Sequence, residues 1–378
     1  MVRRLALSAL LLLVAALPAR AEWPRTVTDI LGRTVTIGHE PRRILLAEGF
    51  QLIALALIDP DPVSRLAGWG GDLEKQDPAT YALFKARFPA VADLPVVGLG
   101  SGETFSMEKA LAVAPDLAIF SAWQAQATSP EAVAAPFEQA GIPVIFVDFY
   151  QSPLEHTAPS LRLLGRALGR EEVAEGFVAF TEDRMRRIRD RMAGAGPGPR
   201  VMLHAYPGLW PCCWSAGSGS LGEVVSLLGG TNIGADRFPT PNGGQLDLEY
   251  VLAADPEVYI ATGLPQLDQT GSISIGSGVD AATARSRLAA LAAEPGLAGL
   301  SAMRQGRVHA LWNFFNGGPL SIVGIEAMAR WIRPELFGDL DPAATLDEIN
   351  RRFLAVPFTG TYWFSLKPAA GLSQPSFP

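Results

Sequence analysis

Phe105-Ser106-Met107-Glu108-Lys109-Ala110-Leu111-Ala112-Val113-Ala114-Pro115-Asp116 and Leu246-Asp247-Leu248-Glu249-Tyr250-Val251-Leu252-Ala253-Ala254-Asp255-Pro256-Glu257 share one spacing. In each, a glutamate opens a short helix, a proline seven residues later stops it, and an acidic residue leads into an apolar run. Those runs, Leu117-Ala118-Ile119-Phe120 and Val258-Tyr259-Ile260-Ala261, read as buried strands. The two glutamates stand 141 residues apart, which predicts two similar α/β lobes, each holding one exposed carboxylate at an equivalent place.

Outward from these segments, the N-terminus reads as a leader. Arg3 and Arg4 precede an apolar stretch over 5–17 that is too short to span a bilayer, and Ala19-Arg20-Ala21 has the small-x-small form of a cleavage site. Residues 1–21 are therefore expected to be a signal peptide cleaved after Ala21, and no cysteine follows that could carry a lipid. Losing Arg3, Arg4 and Arg20 takes the formal charge from −7 to −10, which argues against nucleic acid or an anionic membrane face as a partner.

Residues 22–150 read as an N-terminal α/β lobe. A hairpin turning at 29–32 opens it, and strands over 43–47, 63–67, 95–98, 117–120 and 144–148 alternate with helical patterns, the first over 49–58. That alternation predicts a mostly parallel sheet with helices on both faces. Residues 151–199 break it. Ser152 with Glu155 has the form of a capping box. A long helix over 171–193 then carries Val173, Phe177, Phe180, Met185, Ile188 and Met192 on one side, about 35 Å at 1.5 Å per residue and enough to join two lobes. The alternation resumes over 200–366 with strands at 201–205, 258–262 and 307–312. Ser220 with Glu223 and Thr345 with Glu348 have the form of capping boxes for helices there. Residues 367–378 read as a flexible tail. The expected fold class is α/β, two Rossmann-like lobes joined by a single long helix with a ligand cleft between them.

Asp29-Ile30-Leu31-Gly32-Arg33-Thr34-Val35-Thr36, Pro41-Arg42-Arg43-Ile44 and Ala302-Met303-Arg304-Gln305-Gly306-Arg307-Val308-His309, in order with the two glutamate segments, carry a resemblance. The chain resembles the periplasmic substrate-binding proteins of ABC importers for ferric siderophores, cobalamin and haem. The resemblance implies a monomer without enzymatic activity, located in the periplasm, that presents a metal chelate to an ABC permease dimer in the inner membrane. It also implies that Glu108 and Glu249 each pair with an arginine on one permease subunit. A carboxylate at a helix N-terminus is stabilised by the helix dipole and free to meet a guanidinium. Such surface pairs set orientation more than affinity.

Ligands of doubly wound sheets gather beyond the C-terminal ends of the strands. Glu48, Trp69 and Trp123 fall there in the first lobe, and Tyr206, Trp210, Trp214, Arg237, Asn242, Trp312, Phe315 and Asn316 in the second. Rigid rings with polar handles suit a bulky planar or chelate ligand. The scarcity of Arg and Lys on these loops disfavours a strongly anionic chelate, so a ferric siderophore of hydroxamate type fits best. Haem, a corrinoid and an oxyanion such as molybdate, held at helix N-termini, are the alternatives within the same family. Haem would take Tyr206 or His204 as an axial ligand, although His204 lies within a strand and reads as core. His39, His156, His204 and His309 form no local ligand pair, so neither a metal site nor a cofactor is expected.

The alternative from another class is a secreted two-lobe enzyme using Glu48 as acid or base, but no G-x-S-x-G elbow is present. Gly217-Ser218-Gly219-Ser220-Leu221-Gly222 matches G-x-G-x-x-G yet begins well past its strand, so it reads as a helix start near the cleft. Cys212 and Cys213 are the only cysteines. A vicinal disulfide stiffening the loop between Trp210 and Trp214 is expected, with two free thiols or metal ligation as alternatives.

Overall fold

The computed structural model describes residues 23–99, 104–210, 212–265 and 272–367. The leader expected at 1–21 lies outside them, as does the tail beyond Lys367. An antiparallel hairpin of β1 (Arg25–Thr28) and β2 (Thr34–Ile37) opens the chain. Asp29 ties its turn by accepting from the backbone N–H groups of Leu31 and Arg33 at 3.1 and 2.9 Å.

The first lobe is built on β3 (Ile44–Leu46), β4 (Leu66–Gly70), β5 (Val96–Gly98), β6 (Leu117–Ser121) and β7 (Val144–Val147), all parallel and ordered β5-β4-β3-β6-β7. Four of them are buried along their whole length, which is why they read as unbroken apolar runs rather than alternating ones. The strand order reverses between β3 and β6, and in doubly wound sheets ligands bind beyond the C-terminal strand ends at such a reversal.

The second lobe has its own sheet, sharing no strand with the first. It uses β8 (Arg200–Ala205), β9 (Trp214–Ser215), β10 (Thr231–Asn232), β11 (Gly244–Gln245) and β12 (Val258–Gly263), and, after the short β13 (Gly276–Ser277), β14 (Val308–Trp312). β15 (Gly360–Thr361) pairs with β13, and β16 (Trp363–Ser365) completes the main sheet. Its centre is parallel, β10-β8-β12-β14, with the reversal between β8 and β12. β9 and β11 run antiparallel on one side, each only two residues long, and β16 on the other, with β11 and β16 at the edges.

The helices Pro153–Leu168 and Glu171–Met192 connect the lobes. The second, 22 residues and about 33 Å at 1.5 Å per residue, packs on the Gln51–Ile58 helix of the first lobe and the Ser321–Ile332 helix of the second. The chain beyond Pro334 braces this strut. Phe353 packs its ring on Phe177 and Phe180 at 5.2 and 5.3 Å, Arg184 pairs with Glu348 at 3.0 Å, and Ala355 N donates to Ala56 O of the first lobe at 2.9 Å.

The echoing segments share more than spacing. Ala114 and Asp255, each just before the proline, both take left-handed backbone at φ 45° and 42°, ending the helix before a residue that cannot continue it. The freed carbonyls at the helix ends are taken by arginines that lead each lobe's first strand. Arg43 Nε donates to Ala114 O at 2.9 Å, and Arg200 Nε to Ala254 O at 2.8 Å. Asp116 then accepts from the backbone N–H groups of Arg42 and Arg43 at 2.8 and 2.9 Å, and Glu257 from that of Arg200 at 3.0 Å. One corner has been built twice.

The three expected capping boxes do not form. Ser152 and Ser220 cap nothing with their side chains, and Thr345 lies inside a helix capped by Asp341. Glu223 instead accepts from Leu154 N at 3.3 Å, across to the Pro153–Leu168 helix, while Asn316 Oδ1 accepts from Leu221 N at 3.0 Å. At these helix starts long-range partners displace the local motif.

Candidate functional site

Glu48 stands just past β3, beside the end of β6, at the first lobe's reversal of strand order. Its Oε2 accepts from Ser121 Oγ and from Trp123 Nε1, the latter at 3.2 Å. Beneath it, Asp72 accepts from the backbone N–H groups of Gly49 and Phe50 at 2.7 and 3.3 Å. Side chains would block this arrangement: a Cβ on Gly49 would collide with the Gly70 carbonyl, and one on Gly70 would sit 2.5 Å from Asp72 Oδ1. Burial, and then the charge of Asp72, push the Glu48 carboxyl up from 4.5 to about 7; the Ser121 and Trp123 hydrogen bonds oppose the rise and Asp148 adds to it. Burial likewise lifts Asp72 to about 6. Asp148 accepts from the N–H groups of Tyr150, Gln151 and Ser152 at 2.9, 2.8 and 3.1 Å and meets His156 Nδ1 at 2.7 Å.

Tyr206 holds the matching place in the second lobe, just past β8 at the reversal beside β12, where its N–H donates to Thr262 O at 3.1 Å. Its ring meets Trp210 edge-on at 5.6 Å, and Trp210 meets Trp214 at 5.8 Å. The two indoles are 45% and 40% exposed, so this ladder of rings faces outward rather than into the core. Cys212 and Cys213 form a disulfide in the loop between them. Tyr150 links the two lobes' contributions: burial and then Glu48 raise its phenol, and burial and then Tyr150 raise that of Tyr206. Asn242 Nδ2 donates to Gln126 Oε1 at 3.3 Å from one lobe to the other.

Other expected residues lie elsewhere. Trp69 is buried against Tyr81, and Phe315 is buried against Trp312. Trp312 is itself buried and donates through Nε1 to Asp77 Oδ2 at 2.9 Å, joining the lobes. Burial lifts Asp77 to about 6. Thr80 and Ser277 hydrogen-bond beside it, and Ser277 meets the Tyr362 hydroxyl at 2.8 Å. These three aromatic side chains serve packing: Trp69 lies within β4 and Trp312 closes β14, both in strands buried along their whole length, and Phe315 just past β14 folds inward. Arg237 lies over the Tyr250 ring at 4.3 Å, on the helix that carries Glu249, and Asn316 is occupied as a helix cap. Glu108 and Glu249 are exposed on the first turns of the Met107–Ala112 and Leu248–Ala254 helices.

The glycine motif has a packing cause. Cβ atoms on Gly217 and Gly219 would run into the 240–241 loop, and one on Gly219 would also lie 2.7 Å from Gln151 O. Tyr150 and Ser121 were overlooked although both follow strand ends, the rule that found Glu48 and Tyr206. The Phe50–Phe314 stack between the lobes, at 3.5 Å, carried no local signal. His204, Cys212 and Cys213 bring their donor atoms within 4.8 Å of one another, with the two sulfurs joined in the disulfide.

Residues 55–313 match the family described as periplasmic binding protein. A vitamin B12-binding protein of Yersinia pestis (strain Pestoides F) is 31% identical over 168 residues, 44% of this chain and 55% of that protein. The chain thus spans about half the length of the curated relatives it matches. Among solved structures, the TroA-like periplasmic binding protein FepB from Veillonella parvula superposes with a TM-score of 0.81 at 26% identity, covering 91% of this chain and 100% of that one. The molybdate-bound binding protein MolA from Haemophilus influenzae shares the fold, with a TM-score of 0.66 at 16% identity over 89% of this chain and 99% of its own.

Proposed function

The chain belongs to the periplasmic binding protein family, and from that premise we propose that it captures a bulky metal chelate between its lobes and delivers it to an ABC permease. Members of the family are binding components of transport systems rather than enzymes. The observations that carry the ligand class are an acidic floor at the first lobe's strand ends and a ladder of rings at the second's. The charges acting on Glu48 are Asp72 and Asp148, both acidic, while Tyr206, Trp210 and Trp214 offer stacking area. Such a floor repels molybdate or a tris-catecholate and accepts a neutral or cationic complex with an organic shell. A ferric hydroxamate siderophore has this character and is the favoured ligand. A corrinoid has it too, and the relative named for vitamin B12 supports that second reading.

Glu108 and Glu249 are assigned to the permease, one per subunit. Their exposure on equivalent corners of the two lobes supports this. Capture takes place in the periplasm, after removal of residues 1–21.

The test is tryptophan fluorescence of the purified protein, titrated in parallel with a ferric hydroxamate, cyanocobalamin, molybdate and a ferric tris-catecholate. Saturable quenching by one of the first two, with neither anion active, is the expected result. Saturation by an anion, or by none of the four, overturns the ligand class. Turnover of a bound compound without the membrane partner would overturn the transport reading itself.

A further inference from the structure

We propose that reduction of the Cys212–Cys213 disulfide opens a site for a soft monovalent or divalent cation, formed by the two sulfurs and the His204 imidazole. The site adjoins the ring ladder, because its cysteines lie in the loop between Trp210 and Trp214, but it does not depend on the transport reading. Its donor atoms lie within 4.8 Å of one another. An ion bound at roughly 2.0 Å from nitrogen and 2.3 Å from sulfur bridges that span with small side-chain rotations, once the S–S bond no longer holds the sulfurs together.

His204 is the second, independent sign. It lies in β8, only 3% exposed, directed toward a loop that comes from outside its strand. Its Nδ1 is hydrogen-bonded to the buried hydroxyl of Tyr259 in the neighbouring β12. A ligating imidazole is usually oriented by just such a partner on its other nitrogen. Cys213 is buried, while Cys212 is partly exposed and provides the way in.

The redox step is balanced by a dithiol reductant. The protein disulfide takes up two electrons and two protons, and the dithiol becomes a disulfide. Each new thiol then loses its proton as it binds the cation as thiolate. The oxidised form has no thiolate to offer, so the oxidation state of the loop gates the site. Two thiolates and one imidazole form a soft set suited to Cu(I), with Zn(II) a weaker competitor.

The experiment uses the full chain, reduced with a phosphine that is then removed without air, and titrated with Cu(I) against bicinchoninate as a coloured competitor. Reduced protein should withdraw one equivalent of copper and oxidised protein none. Cys212→Ser with Cys213→Ser should abolish the withdrawal, and His204→Gln should weaken it at least about tenfold. Because His204→Gln removes a buried partner of Tyr259, a second readout uses the unaltered chain: Cu(I) should protect both cysteines from alkylation by iodoacetamide, scored by mass. Equal withdrawal by oxidised protein, or none by reduced protein, overturns the proposal. So does full affinity in His204→Gln, or alkylation unaffected by copper.

Discussion

Glu48→Gln is the most direct probe of the crevice floor. In the folded protein the Glu48 carboxyl is raised from 4.5 to about 7, chiefly by burial and then by Asp72. A raised acid favours the folded state while it holds its proton. Its ionisation begins to count against folding once the unfolded chain would have lost that proton, near pH 4.5, and the loss is complete above about pH 7. The rise from 4.5 to about 7 corresponds to about 3 kcal/mol, some of it shared with Asp72 through their repulsion. Gln keeps an oxygen to accept from Ser121 and Trp123 but carries no charge. Urea unfolding of both proteins from pH 4 to pH 8.5 should therefore show near-equal stability at the acid end. An advantage for Glu48→Gln should then grow to about 3 kcal/mol at the alkaline end. Asp72, Asp77 and Glu326 are also raised by burial, so the wild-type curve alone blends several groups and the difference between the two proteins is the informative quantity. A difference that stays level across this range would refute the account of Glu48 as a buried, repelled carboxyl.

Trp210→Ala and Trp214→Ala should each weaken binding of the active chelate about tenfold in the fluorescence or calorimetric titration, with little change in melting temperature, because both rings are exposed. Glu108→Arg with Glu249→Arg should abolish ligand-dependent stimulation of the reconstituted permease ATPase while chelate affinity stays within about twofold, as surface pairs contribute only about 0.2–1 kcal/mol each. Trp312→Phe removes the Nε1 donor from buried Asp77 and should cost about 1–3 kcal/mol in urea unfolding, more above pH 6 where Asp77 is charged.

Much of the architecture was readable because β3, β4, β6 and β7 are buried on both faces and spell continuous apolar runs. The duplicated corner was readable because proline, an acidic residue and a strand must follow one another there. The second lobe's edges were not, since β9 and β11 are two residues long and leave no period to detect. Ser152, Ser220 and Thr345 misled for a different reason. A capping box is a local preference worth about 1 kcal/mol, and Glu223 and Asn316 found long-range partners instead. Within the site, Glu48 and Tyr206 followed from the position of strand ends, whereas β4 and β14 run on to include Trp69 and Trp312, and Phe315 turned inward. Spacing places a backbone; it does not choose a rotamer.

The ties between the lobes bear on how such a carrier signals. Phe50 lies on Phe314, Trp312 on Asp77, Asn242 on Gln126 and Ala355 on Ala56, so contacts bind one half to the other at several separate places. Swinging the halves apart would leave Asp77 without its indole donor and pull the stacked phenyl rings from each other. On the proposed function, the empty and laden molecules should therefore share one silhouette in solution scattering. On the proposed carrier reading, arrival of cargo would be announced by the portion of the guest left protruding, not by the angle of a hinge.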